Sequence, residues 1–293
     1  MTAMPDAVDT GGLFELPAEL AIDTDVARRV IGQFIRGQLR QAGFDKVVLG
    51  LSGGIDSALV AYLVAEAIGA EKLLCVMMPY RASSPASRAD AEEVVGRLGA
   101  ASEVVDISPM VDAFFAADPD ATPIRRGNFM ARQRMAVLYD RSVTWGGLVV
   151  GTGNKTESLI GYTTIFGDNA CAFNPIGDLY KSQVRQMAAA IGVPRQIIAK
   201  APSADLWPDQ TDEGEGAFSY PVLDRVLYWR IDRRRSTDEL VGMGFDRALV
   251  ERVEHLVATS EFKRQVPPTA KLGPRTAGVD YLYPRRRPGS ART

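Results

Sequence analysis

The sequence predicts an α/β fold: a doubly wound, parallel five-stranded sheet with flanking helices and a helical C-terminal part. Three observations carry this. Short apolar runs alternate with segments of helical periodicity. The runs are apolar throughout, as strands are when both faces of a parallel sheet are covered. A Gly-rich turn joins the first run to the helix after it.

Each element follows in order. Asp23 to Gln41 sets Val26, Val30, Phe34, Ile35 and Leu39 at helical spacing. Lys46 to Leu51 is the first strand, and Ile55 to Ile68 the helix behind it. Leu73 to Met78 is the second strand. Ala89 to Leu98 is a helix stopped by Gly99. Glu103 to Ile107 is the third strand, Asn128 to Trp145 a long helix, and Leu148 to Val150 the fourth strand. Ala172 to Ile176 supplies a fifth. Such β-α-β units cross over right-handed, which makes the sheet Rossmann-like. Beyond it the chain reads as helical over Leu179 to Ile191, Tyr220 to Arg233, Thr237 to Met243 and Arg247 to Thr259. Residues 1–20 read as a loose leader, 21–266 as a single domain, and 267–293 as an irregular Pro/Arg-rich tail.

Composition removes several function classes. A net charge of -2 offers no global basic surface for nucleic acid. The arginine runs at 233–235 and 285–287 read as a solvated helix end and a basic tail. Two cysteines, Cys75 and Cys171, lack CxxC spacing, which argues against a zinc site and for a reducing compartment. The acidic N-terminus has no signal-peptide pattern, and no apolar stretch reaches membrane-spanning length. A cytoplasmic protein without membrane partners is expected. His255, the only histidine, lies among Val253, Leu256 and Val257 and reads as a packing or helix-surface residue.

The strongest local signal is Ser52-Gly53-Gly54-Ile55-Asp56-Ser57, between the first strand and its helix. The glycines allow positive φ and close backbone approach. The turn aims N–H groups at an anion from the positive end of a helix. Ser52 and Ser57 add hydroxyl donors. Asp56 would repel phosphate unless a magnesium ion lay between them. Gly151 to Glu157 follows the fourth strand and faces the same cleft, because ligands bind at the carboxyl ends of parallel strands. Thr152 can donate to a nucleotide there, and Glu157 is a candidate second metal ligand.

The SGGxDS loop resembles that of the ATP pyrophosphatases. Gly161-Tyr162, Phe166-Gly167-Asp168, Pro175-Ile176, Leu179-Tyr180-Lys181, 200–207, 210–213 and Lys263-Arg264 with Pro267 are similar to the ammonia-dependent NAD synthetases, in the same order. The resemblance runs from about Val26 to Pro268. It implies that ATP is bound by Ser52, Gly53, Gly54, Asp56, Ser57, Arg81, Thr152, Lys181 and Ser203. It implies that magnesium is held by Asp56 and Glu157, with Asp56 and Lys181 catalytic. It implies that Asn128, Arg132, Asp168 and Lys263 bind the dinucleotide substrate. The implied reaction adenylates the carboxylate of deamido-NAD with ATP, releases pyrophosphate, and lets ammonia displace AMP. A homodimer is implied, with the Arg132 helix as candidate interface. Ammonia is expected free or from a separate protein, because neither cysteine context suits a glutamine-hydrolysing domain.

Three positions depart from the family pattern. Ile165 and Ala172 stand where the pattern has Lys and Asp, and Phe262 where it has His. All three belong to the acceptor side. An amide ligase for a different carboxylate is therefore the competing expectation. A non-catalytic nucleotide binder is disfavoured by Asp56, Glu157 and Lys181. RNA thiolation is disfavoured by the lack of a cysteine pair and a basic appendage.

Overall fold

The computed structural model describes residues 10–201 and 218–276. Four parallel strands, β1 (Val47–Gly50), β2 (Leu73–Met77), β3 (Ala101–Val104) and β4 (Leu148–Val150), lie in the order β3-β2-β1-β4. In β1 and β2 the side chains alternate between two covered faces. Val47, Leu49, Leu73, Cys75 and Met77 pack into one core with α1 (Thr24–Ala42), α2 (Ile55–Ile68), α3 (Pro85–Leu98) and part of the C-terminal half. Val48, Leu74 and Val76 pack on the other face against α4 (Ser108–Phe115) and α5 (Pro123–Trp145). This is the doubly wound arrangement.

Local chemistry explains the helix limits. Asp23 accepts from Val26 N at the start of α1, and Gly43 ends it at φ 79°. Thr122 caps α5 with Pro123 behind it, and Gly146 ends it at φ 70°. A short α6 (Lys155–Ile160) follows β4. Then come α7 (Lys181–Ile191), α8 (Arg195–Ala199), α9 (Tyr220–Leu227), α10 (Thr237–Gly242) and α11 (Arg247–Thr259). A π-helical turn, Tyr228–Asp232, extends α9.

Several expectations change. Among the described residues the fifth strand shrinks to a single parallel bridge, Val150 to Phe173. Pro175, Gly177 and the Asn174 side chain turn the chain away before a ladder can form. The third strand begins two residues earlier than predicted, and its burial alternates because it is the sheet edge. α4, α6 and α8 carry too few apolar periods to be read from sequence. The segment Thr10 to Leu20 is packed rather than loose. Leu16 and Leu20 are buried in a separate core with Tyr180, Tyr220, Leu223 and Leu227. Each such burial stabilises by about 1.5–3 kcal/mol. The tail from 267 to 275 is exposed and irregular.

Candidate active site

In this strand order the chain leaves β1 toward β2 on one side and finds β4 on the other. The topological switch point therefore lies between β1 and β4, where open parallel sheets bind ligands. Two loops meet there. After β1, Gly53 has φ 79°, and a Cβ on it would fall 1.9 Å from the Ser87 carbonyl oxygen. Only glycine fits. Gly54 N donates to Ser52 Oγ (3.2 Å), Ser52 N to Ser57 Oγ (3.2 Å), and Ser57 Oγ to the Gly54 carbonyl (3.0 Å). The turn is thus self-bonded at the N-terminus of α2, a geometry suited to phosphate.

After β4, Gly151 N donates to the Phe173 carbonyl at 2.9 Å, and Asn154 caps α6 in a capping box with Glu157. Asn154 is fully buried. Its Nδ2 donates to Asp56 Oδ1 at 2.9 Å, which ties the two loops together.

The third contributor is the first residue of α7. Lys181 Nζ lies 2.5 Å from Asp56 Oδ2 and 3.3 Å from Glu157 Oε1, with its side chain 3% exposed. It also sits 5.3 Å from the centre of the Tyr220 ring. Removing one partner of such a buried pair costs about 3–5 kcal/mol.

A buried carboxylate positions this residue. Lys181 N donates to Thr156 Oγ1 (3.0 Å), and that hydroxyl donates to Asp224 Oδ1 (2.6 Å). Ser182 N and Oγ both donate to Asp224 Oδ2 at 2.7 Å. Burial pushes the Asp224 carboxyl above the ordinary carboxylate value, while the Thr156 and Ser182 hydrogen bonds oppose that shift.

Asn128, Arg132, Asp168 and Lys263 form a second group, around the turn at 161–169. Thr164 Oγ1 donates to Asn128 Oδ1 (2.7 Å), and Arg132 Nε to the Ile165 carbonyl (3.3 Å). Asp168 accepts from Thr164 N (2.7 Å) and Thr163 Oγ1 (2.8 Å). Lys263 Nζ donates to the Gly161 and Thr163 carbonyls at 2.7 and 2.8 Å. All four thus hold the backbone or side chains of one turn. Within it Phe166 is 59% exposed with φ 56°, a strained conformation for a bulky residue.

Of the remaining predicted residues, Thr152 lies in the loop after β4, half-buried. Arg81 follows β2 and pairs with Asp112. Ser203 lies outside the described residues. Sequence reasoning missed Asn154, Thr156 and Asp224. The first had a signal, the N-x-x-E capping pattern directly after a strand. The burial of Asp224 had none.

Comparison with known proteins places the chain in a family. The NAD synthase family matches residues 27–267. This chain belongs to the NAD synthase family. The "NH(3)-dependent NAD(+) synthetase" of Trichlorobacter lovleyi is 50% identical over 92% of this chain and 98% of its own. The structure of the Campylobacter jejuni NH3-dependent NAD synthetase superposes with TM-score 0.74 at 34% identity, over 86% of this chain and 100% of that one. An NMN synthetase from Francisella tularensis gives TM-score 0.75 at 30% identity, over 85% and 99%. The NAD synthase match contains both loops, the Lys181 cluster and the 161–169 turn.

A divalent metal can be tested against this donor set. Among the described residues no three His, Cys, Asp or Glu gather into a metal site. Asp56 and Glu157 do converge on one cation, Lys181 Nζ. Two carboxylates suit magnesium, which completes its shell with water and phosphate oxygens. The residues fit.

Proposed function

We propose that this chain is an ammonia-dependent NAD synthetase. It joins ammonia to the nicotinate carboxylate of deamido-NAD and splits ATP into AMP and pyrophosphate. The observation that carries this reading is the cluster at the β1–β4 crevice. A glycine turn suited to phosphate, two carboxylates and a buried lysine meet at the crevice between β1 and β4, the kind of place where open parallel sheets bind ligands.

The Ser52–Ser57 turn and the α2 N-terminus hold the pyrophosphate portion of ATP, and Thr152 faces the nucleotide. Asp56 and Glu157 would hold a magnesium ion, which when bound neutralises phosphate charge. A carboxylate oxygen of the acceptor attacks the α-phosphorus. The bond to the bridging oxygen breaks, and pyrophosphate leaves with the electron pair. Lys181 stabilises the negative charge that develops on the phosphates. Ammonia then attacks the acyl carbon, the bond to AMP breaks, and the ammonium proton passes to solvent. The turn at 161–169, held by Asn128, Arg132, Asp168 and Lys263, orients the acceptor.

A second reading has its own support. Ile165 and Ala172 lie in and beside that turn, and Phe262 is 63% exposed next to Lys263. None can ion-pair with an acceptor. The Francisella relative is named as an NMN synthetase, so a mononucleotide acceptor is the natural competitor on this fold.

Homodimerisation belongs to the same proposal. α5 leaves Ile124, Tyr139 and Val143 exposed, which supports it as the interface. No helix of the described residues is long and apolar enough to cross a membrane. The deciding assay supplies ATP, magnesium and ammonium with deamido-NAD or its mononucleotide and quantifies both amides. NAD formed in equal amount to AMP supports the first reading. Amide formed only from the mononucleotide selects the second.

A further inference from the structure

Asn154 and Lys181 both reach the carboxylate oxygens of Asp56 and Glu157, in a definite pattern. Asn154 takes one from each: its Nδ2 donates to Asp56 Oδ1 at 2.9 Å, and its backbone N to Glu157 Oε2 at 3.3 Å. Lys181 Nζ takes the other two, Asp56 Oδ2 at 2.5 Å and Glu157 Oε1 at 3.3 Å. The Asn154 side chain cannot turn, because its Oδ1 accepts from Glu157 N at 2.9 Å and the residue is fully buried. One residue therefore fixes both carboxylates and leaves one oxygen of each aimed at a single point, and an ammonium stands at that point.

We propose that Asn154 is the positioning residue of a two-carboxylate cation seat, and that Lys181 fills this seat until nucleotide arrives. The inference rests on the reading of Asp56 and Glu157 as metal ligands. A divalent ion without nucleotide must displace a buried ammonium and shed water, which magnesium does reluctantly. A triphosphate offers the ammonium other acceptors, so the seat empties when the nucleotide brings its own metal. The residues thereby impose an order: metal enters with ATP, not before it. No covalent step is involved.

The test is Mn2+ binding to the full chain without nucleotide, followed by electron paramagnetic resonance, and then with ATP but no acceptor. The parent should bind weakly alone and about tenfold or more tighter with ATP. Lys181→Met should bind Mn2+ alone about tenfold tighter than the parent, because the metal then relieves two facing carboxylates. Asn154→Ala in the Lys181→Met background should lose that gain. In the parent background, Asn154→Ala should raise the metal concentration for half-maximal rate about tenfold and recover most of kcat at saturating metal. A purely structural role would not produce that split. Lys181→Gln is the milder variant, and an unchanged far-ultraviolet circular dichroism spectrum and melting transition confirm folding in each case.

Equal Mn2+ binding by parent and Lys181→Met would overturn the filled seat. An undiminished gain in the Asn154→Ala double variant would overturn the positioning role. Survival of the gain in Asp56→Asn/Lys181→Met would place the metal elsewhere and overturn the site reading beneath the proposal.

Discussion

Two lysines in this chain illustrate how differently its two polar regions are built. Lys181 is 3% exposed and faces the carboxylates of Asp56 and Glu157. Lys263 donates to the carbonyls of Gly161 and Thr163. The first region opposes charged side chains, which is an arrangement for neutralising and moving charge. The second uses side chains to hold a backbone turn, which is an arrangement for shape. Sequence resemblance names residues of both regions as ligand contacts, and only the geometry separates them. Changes in the first region should therefore act on kcat, and changes in the second on acceptor KM.

The largest expected effect is that of Asp56→Asn. It removes one charge from the cluster and should lower AMP formation about 1,000-fold. Near-normal turnover would erase the distinction between the regions. Lys263→Met should instead raise acceptor KM about tenfold, because two hydrogen bonds from a charged group are lost. The KM for ATP should stay within about twofold. An equal rise in both constants would mean that the turn also serves the nucleotide.

How much of this was legible follows the same division. Ser52–Ser57 announces itself because the glycines, hydroxyls and carboxylate are contiguous and bounded by a strand and a helix. Gly53 is explained by a single close approach to Ser87. α1, α2 and α11 were readable from apolar spacing. The fifth strand was not, since its run contains Asn174 and Pro175 and manages one bridge. Leu16 and Leu20 give no local sign of packing because their partners, Tyr180 and Tyr220, lie far along the chain. Thr156 and Asp224 were invisible for the same reason: 68 residues separate a hydroxyl from the carboxylate it donates to.

Smaller effects sharpen the comparison. Ile165→Lys with Ala172→Asp should raise kcat/KM for deamido-NAD several-fold, in the range of about 0.5–1 kcal/mol per added exposed ion pair. No gain would show that the present turn recognises the acceptor by other groups. Asp224→Asn should alter the pH dependence of stability. Burial raises the Asp224 carboxyl, so the native chain retains a proton that the unfolded chain releases from about pH 3.9 upward. The stabilisation linked to that proton is complete below the unfolded value and is lost as pH rises through the folded value. The amide does not titrate. Melting curves should therefore show the variant gaining on the parent as pH rises across this window, and a constant difference would contradict the shift.

The central claim is that the Lys181 cluster and the phosphate loop direct a carboxylate onto the α-phosphorus of ATP. Deamido-NAD carrying heavy oxygen in its nicotinate carboxylate tests this directly, with the label followed by mass spectrometry of the products. The account predicts that one labelled oxygen leaves in each AMP and none in pyrophosphate. Labelled inorganic phosphate, with ADP in place of AMP, would contradict it.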